Sequence, residues 1–490
     1  MPLVTSKSAI RKTKILATLG PASNSVETIK ELILAGMDAS RINFSHGTYE
    51  THTVVINNLK QAREELNAPI PLILDTKGPE IRIKTFSEEL LKANNGKIYL
   101  KQGQQFTLTT DDIEGDEQRV SVTYANLPND LSVGKRILID DGLIELHVDK
   151  IEGHDIICTV VNSGFLSSRK GVNVPDVYVN LPSLTEKDIE DIKFGIKMGF
   201  DYIAASFVRS AKDVVEIRQV LEENGGAHMF IIAKIESRDG VNNLDKILEV
   251  ADGIMVARGD LGVEIPPEEV PLVQKMLIQK ANTMGKPVIT ATQMLESMVN
   301  NPRPTRAEAN DVANAIFDGS DAIMLSGETA NGKYPASAVS MMSKIALKAE
   351  SAISYGQNLA SHHTAASYST TNAISYATCN TAADLGAACI ATVTHSGFSA
   401  RMVAKNKPTC PILAVTSSDV ALRQLNLVWG CIPIKKESGE EDPFAVAAAK
   451  SLESKLAVDG DLIVIVAGIP IGIAGSTNCI KVQLVGDILA

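Results

Sequence analysis

Aromatic residues are scarce in this chain: they make up 4% of 490 positions, with a single tryptophan, and nowhere do they alternate with a block of Lys or Arg. Without basic runs, and with a formal net charge of −11, the sequence argues against a nucleic-acid-binding surface. Any anionic ligand must meet positive charge that is local. No apolar stretch reaches the roughly 18 to 20 residues of a membrane span. The opening MPLVTSKSAIRKTK has neither the apolar centre nor the cleavage site of a signal peptide, so a cytoplasmic protein is expected. The six cysteines, Cys158, Cys379, Cys389, Cys410, Cys431 and Cys479, show no C-x-x-C spacing. Reduced core thiols are expected, not zinc or a disulfide framework.

What is present is an ordinary globular composition, 44% hydrophobic and 21% charged, too long for one core and expected to divide into two to four domains. Eight short apolar runs recur, each ending in polar residues: KILATLG, MDASRINFS, PLILDTKG, DYIAASFV, FIIAKIES, GIMVARGD, PVITATQM and AIMLSGET. Amphipathic segments such as SVETIKELILAG and EKDIEDIKFGIKMG separate them. Parallel strands covered on both faces need this pattern, and eight β/α units predict a closed (β/α)8 TIM barrel.

Between the third and fourth runs the helix is replaced by about a hundred residues of alternating pattern, broken by Gly, Pro and Asp-Asp-Gly. Short antiparallel strands are expected there, forming a small inserted β-barrel domain at the catalytic end, a lid. After a Ser/Thr/Ala/His-rich linker that contains His362 and His363, the β/α alternation restarts with ACIATVTHSG, CPILAVTSS and DLIVIVAG, predicting a doubly wound α/β domain. The expected division is 1–82 and 180–350 for the barrel, 83–179 for the insert and 351–490 for the last domain.

Barrel strands open at their C-terminal ends onto the catalytic face. Those ends supply Thr18; Arg41, Asn43, Ser45 and His46; Asp75, Thr76 and Lys77; Ser206 and Arg209; Lys234 and Glu236; Arg258 and Asp260; Thr292 and Gln293; Ser326 and Glu328. Lys234 and Glu236, two apart on a strand, point to one face. Glu236 and Asp260, on adjacent strands, can share a hard divalent cation, Mg²⁺ or Mn²⁺ and not zinc. The plainer reading is a buried structural Lys–Glu pair, which the nearby Asp260 and Arg41 disfavour.

ARGDLGVEIPPEEV places Gly259 before Asp260 in a turn ahead of a helix expected to begin near Pro266, with backbone N–H groups suited to a carboxylate or phosphate. Its Arg-Gly-Asp is read as coincidence, not as an adhesion signal. Arg41 and Arg82 are expected to flank the site from two strands and suit phosphate oxygens, though either also suits a plain ion pair. Asn43, Ser45, Asp75 and Thr76 form an all-oxygen set compatible with a monovalent cation or with strand-end capping. His46 suits a general base, a phosphate donor or a core histidine.

KTKILATLGPAS, SRINFSHG, LDTKGPEIR, RKGVNVP, LPSLTEKDIEDIKFG, ASFVR, KIES, VARGDLGVEIP, ATQMLESM, PRPTRAEANDVANAIFDGSDAIMLSGETA and GKYP follow one another along nearly the whole chain. On these stretches, in this order, the chain resembles the pyruvate kinase family. It implies transfer of the phosphoryl group of phosphoenolpyruvate to ADP, with Lys234 stabilising that group in transit. Glu236 and Asp260 would then hold Mg²⁺ or Mn²⁺. Arg41 matches the phosphate-side arginine, and Gly259, Asp260 and Thr292 match the positions that hold substrate carboxylate and metal. Asn43, Ser45, Asp75 and Thr76 match the potassium ligands, and Glu80 looks like the residue of potassium-dependent members. Asn43, His46, Arg82 and Lys170 match the nucleotide side. Thr292 and Ser326 lie near the expected path of the proton to the enolate carbon.

In THSGFSAR, Thr394, Ser396, Gly397 and Ser399 resemble an effector phosphate loop, and GIPIGIAGSTN a second one. Neither a tryptophan–arginine pair for a sugar bisphosphate nor the extra C-terminal domain of some bacterial members is seen. A homotetramer is the oligomer implied. Two rivals stand beside this reading: a barrel aldolase with Lys234 as Schiff base, and a catalytically silent relative that only senses a nucleotide or sugar phosphate.

Overall fold

The computed structural model of the chain describes residues 10–93, 95–357, 359, 369–437, 442–469 and 477–486. His362 and His363, and most of GIPIGIAGSTN, lie outside the described residues. All eight apolar runs are strands: Lys14–Thr18, Ala39–Asn43, Leu72–Asp75, Tyr202–Ala205, Phe230–Ile235, Gly253–Ala257, Val288–Ala291 and Ala322–Leu325. They pair in parallel and in chain order, and the first closes onto the eighth through Lys14 opposite Ala322. Local chemistry punctuates each unit. Thr185 caps the helix Glu186–Met198 reciprocally with Asp188, and Thr305 caps Arg306–Phe317 with Glu308.

After the sixth strand two details depart from expectation. After Ala257 the chain turns directly into a short helix, Arg258–Glu264, and the next helix, Val270–Met284, starts four residues beyond Pro266. Gly259 and Asp260 therefore ride on a helical first turn instead of an open loop.

The insert carries a six-stranded sheet, in the order Val172–Asn173, Arg136–Ile139, Ile144–Glu152, Asp155–Val160, Gln105–Thr109 and Arg119–Ser121, and a two-stranded ribbon of Ile98–Leu100 with Gly164–Leu166. Both curl around one apolar core that includes Phe106, Leu146 and Leu166. The pair Gln105–Thr109 and Arg119–Ser121 is parallel, not antiparallel. Arg82 is not on a barrel strand; it lies at the stem of the insert, bridged to Gly171.

In the last domain four parallel strands, Cys431–Lys435, Ile412–Thr416, Cys389–Val393 and Leu462–Gly468, are followed by an antiparallel edge strand, Thr477–Leu484. Two separate cores, one on each face, make it doubly wound. All six cysteines are free, and burial pushes the Cys158 and Cys431 thiols up to about 12, as inert core groups require.

This domain closes the floor of the barrel. Leu427 is fully buried in the cluster that fills the barrel interior, beside Leu16, Ile73, Tyr202 and Met255. Around it Tyr202 donates to Gln424 O at 2.7 Å, Arg423 pairs with Asp201 at 2.7 Å, and Lys407 pairs with Asp321 at 2.5 Å. Truncating a fully buried leucine costs about 2–5 kcal/mol. Leu427→Ala is therefore expected to lower the denaturant midpoint of the first unfolding transition. An unchanged midpoint would mean that this plug is not packed in solution.

Candidate active site

The catalytic ends of the second, third, fourth and fifth strands meet in a cluster of buried charge. Register places Asn43 beside Asp75 and Ala204 beside Asp75. Asp75, almost fully buried, accepts from Arg41 Nε at 2.5 Å on one oxygen and from Lys234 Nζ at 3.2 Å on the other. Lys234 also reaches Glu236 Oε1 at 3.0 Å and Ser206 Oγ at 2.7 Å. Glu236 sits one residue past its strand, and its second oxygen accepts the Phe207 N–H at 2.5 Å. Arg41 Nη1 donates to Thr18 Oγ1 at 3.0 Å.

The charges are mutually supported. Burial opposes the ammonium of Lys234, but the Asp75 and Glu236 carboxylates outweigh it and hold the pKa above the lysine range. Burial likewise opposes charge on Asp75, and Arg41 and Lys234 overcome it, holding that carboxyl below its usual range. Glu236 goes the other way: burial, reinforced by Asp260, pushes it up to about 7 despite Lys234. Asp260 is raised by burial and by the Asp141 carboxylate of the insert. A lysine held charged is the reverse of what a Schiff-base nucleophile needs, so the aldolase rival loses its footing.

Opposite this cluster the seventh strand runs into a left-handed turn. Thr292 and Gln293 have φ of 69° and 54°. For a β-branched residue that conformation costs about 1–3 kcal/mol and persists only where the surroundings impose it. Thr292 Oγ1 accepts the Gly259 N–H at 2.8 Å and donates to Ala291 O at 2.6 Å. Ser326 is half-buried at the start of a short helix, its N–H donating to Glu328 at 2.7 Å. Glu328 is buried and caps both Ser326 and Leu295, a structural task.

A cleft of about 510 Å³ between the stem of the insert and the barrel mouth is lined by Glu80, Arg82, Asp141, Lys170, Asp260 and Glu264, among others. Arg82 donates to Glu80 at 2.6 Å, Lys170 pairs with Asp140 at 2.8 Å, and Asn173 donates to Glu264 at 2.8 Å. His46 is exposed, which removes its reading as a core histidine. A larger groove of about 760 Å³ lies beside residues 178–184, where the insert rejoins the barrel, and none of Lys234, Glu236, Asp260 or Thr292 lines it. Thr394, Ser396, Gly397 and Ser399 lie far along the chain around a seven-residue helix, Phe398–Ala404. There the Gly397 N–H donates to Thr394 Oγ1 at 3.1 Å, and the Ser399 hydroxyl pairs with Thr477 at 2.7 Å.

Sequence reasoning missed the office of Asp75 as common counterion of two cations, the Ser206 hydroxyl on Lys234, and the approach of Asp141 from the insert. Ser206 stood among the strand ends, but nothing local assigned it a partner.

Comparison with known proteins agrees with this fold. The family description "Pyruvate kinase, barrel domain" matches residues 10–339, and "Pyruvate kinase, alpha/beta domain" matches residues 372–483. The chain belongs to the pyruvate kinase family. It is 52% identical over 487 residues to a pyruvate kinase of Geobacillus stearothermophilus, covering 98% of this chain and 81% of that one. It is 50% identical over 479 residues to one of Clostridium acetobutylicum, covering 97% and 100%. A crystal structure of a pyruvate kinase from Cryptosporidium parvum superposes with a TM-score of 0.91 at 39% identity, over 97% of this chain and 96% of that one. The protein is thus a phosphotransferase that converts phosphoenolpyruvate and ADP to pyruvate and ATP. Its family needs a divalent metal ion and potassium. Among the described residues, no helix is long and apolar enough to cross a membrane.

The raised pKa of Glu236 fixes the sign of one pH effect. An unfolded glutamate titrates near about 4.3, so between there and about 7 the unfolded chain gives up its proton while the native protein keeps it. Stability falls across that window and the deficit persists above it. In metal-free protein, Glu236→Gln should make the decline from about pH 4.3 to 7 shallower. Identical slopes for parent and variant in denaturant titrations would show that this carboxylate is not penalised by burial.

Proposed function

We propose that the phosphoryl group passes across Lys234, with Glu236 and Asp260 as the metal-side carboxylates. The observation that carries this reading is the meeting of one charged ammonium and two acidic groups at adjacent strand ends, of which Asp260 lines the same cleft as Arg82 and Lys170. Arg41 and Lys234 are balanced by Asp75 and Glu236, and Asp260 is the carboxylate left over.

A hard oxygen pair, in which Asp260 has no ion pair among the described residues, would suit Mg²⁺ or Mn²⁺. When bound, such an ion supplies positive charge beside the phosphoryl oxygens. Asn43, Ser45, Asp75 and Thr76 offer oxygens from two paired strands and fit K⁺ by donor type.

The chain's own residues do the rest. Lys234 exchanges one of its three hydrogen bonds for a phosphoryl oxygen, and the neutral Ser206 hydroxyl is the least costly to give up. Arg41, anchored by Asp75 and Thr18, presents its guanidinium to the phosphate of phosphoenolpyruvate. Gly259, Asp260 and Thr292 take the substrate carboxylate end. Asn43, His46, Arg82 and Lys170 take the nucleotide. Thr292 and Ser326 are our candidates for the path that brings a proton to the enolate carbon. The insert, 83–179, acts as lid on a barrel of 1–82 and 180–350, and 351–490 carries a phosphorylated effector at Thr394, Ser396, Gly397 and Ser399. The protein is a cytoplasmic homotetramer in this reading.

A coupled pyruvate assay with and without Mg²⁺ and K⁺ tests the cofactors; full activity without either would overturn their assignment. Lys234→Met should leave phosphoenolpyruvate binding nearly intact and lower kcat by about 10³-fold, since one lost electrostatic stabiliser costs about 3–4 kcal/mol. Unchanged kcat would remove Lys234 from the mechanism. Asp260→Asn should weaken Mn²⁺ binding, and unaltered metal affinity would break the ligand assignment.

A further inference from the structure

Arg258 has no part in the roles above, yet its side chain spreads across the turn after the seventh barrel strand. Nε donates to Ala291 O at 3.1 Å and Nη2 to Thr292 O at 2.6 Å, while Nη1 is anchored by Asp311 at 2.6 Å on the helix Arg306–Phe317. The side chain is only 14% exposed. The two carbonyls it bridges belong to the last strand residue and to Thr292, the first of two consecutive left-handed residues. The next residue completes the grip, because the Gly259 N–H holds the Thr292 hydroxyl at 2.8 Å. One three-residue segment thus carries the clamp on the Thr292 backbone, the clamp on its side chain, and Asp260.

We infer that Arg258 is a positioning residue for the reaction. Its planar fork spans two consecutive carbonyls and an anchoring carboxylate at once, which the point charge of a lysine cannot reproduce. By that span it holds the left-handed turn shut and fixes the Thr292 hydroxyl relative to Asp260. Arg258 itself does not touch substrate. The inference rests on the reading of Thr292 and Asp260 as substrate-side groups. It adds that their mutual geometry is imposed by a guanidinium on the far side of the turn, and not by the barrel strands alone.

The test is a double-mutant cycle with Thr292→Ala, read by steady-state kinetics and by hydrogen exchange of the purified enzyme. Misplacing a reacting group by about 1 Å costs about 10²-fold, so Arg258→Gln and Arg258→Lys should each lower kcat by about 10- to 100-fold, with KM for ADP essentially unchanged. Amides of residues 292–295 should exchange faster in both variants. In the Thr292→Ala background the same Arg258 substitutions should cost less than about threefold more, because coupled residues do not add. Parental kcat in both Arg258 variants would overturn the inference, and so would losses that multiply fully with those of Thr292→Ala. Should Arg258→Gln fail to fold, Arg258→Lys and Asp311→Asn carry the same cycle, with the smaller loss expected for Asp311→Asn. If Thr292→Ala alone keeps parental kcat, the substrate-side reading of Thr292 falls. If Thr292→Ala is impaired and the Arg258 variants are not, only the inference about Arg258 falls.

Discussion

The buried carboxylate of Asp75 lets the barrel mouth exist. Arg41 and Lys234 project from the second and fifth strands into a volume from which water is largely excluded, and two cations there would repel each other and be undercompensated. Asp75, on the third strand, faces one with each oxygen. The ion pairs stabilise little in net terms, since taking charges out of water costs about as much as their attraction returns. What they provide is fixed charge in fixed geometry, the condition under which electrostatic stabilisation of a transition state is large. Glu236 and Asp260 then tip the formal balance negative, and burial raises the pKa of each, with the Asp260 carboxylate adding to it at Glu236 and the Asp141 carboxylate at Asp260.

A second constraint acts from below. The barrel is filled by its own side chains down to its floor, where Leu427 and the Gln424 carbonyl of the last domain complete the packing. Asp201, immediately before the fourth strand, is held by Arg423, and Asp321, immediately before the eighth, by Lys407. The bottoms of strands whose tops carry Ser206 and Ser326 are therefore tied to the C-terminal domain by buried ion pairs. A displacement of that domain cannot leave the strand bases untouched, because close-packed interiors transmit strain instead of absorbing it.

The strands of the barrel were legible because each is a run of Val, Ile, Leu and Ala between amphipathic helices, a pattern that parallel sheets covered on both faces require. The third domain was less so. Cys431–Lys435 contains Pro433 and is only partly buried, and Thr477–Leu484 is an edge strand with four exposed residues, so neither shows a buried strand's continuous apolarity. The helix at Arg258–Glu264 was hidden by two glycines, Gly259 and Gly262, that read as turn. Placing Arg82 on a barrel strand failed because the stem of the insert pairs through isolated bridges, at Arg82, Ile83 and Phe86, which have no periodic signature.

Lys234, Glu236, Asp260, Arg41 and Thr292 were candidates from their positions alone, because the polar residues that end barrel strands all open on one face. That much follows from chain order and the period of a strand. Which of them touch was decided by closure of the barrel: Asp75 meets Lys234 across 159 positions of sequence, and Arg258 meets Asp311 across 53. The left-handed backbone of Thr292 lies still further from what residue type predicts, since a threonine prefers the opposite sign of φ. Such a conformation belongs to the contacts around it, and contacts between distant segments exist only once the chain has folded.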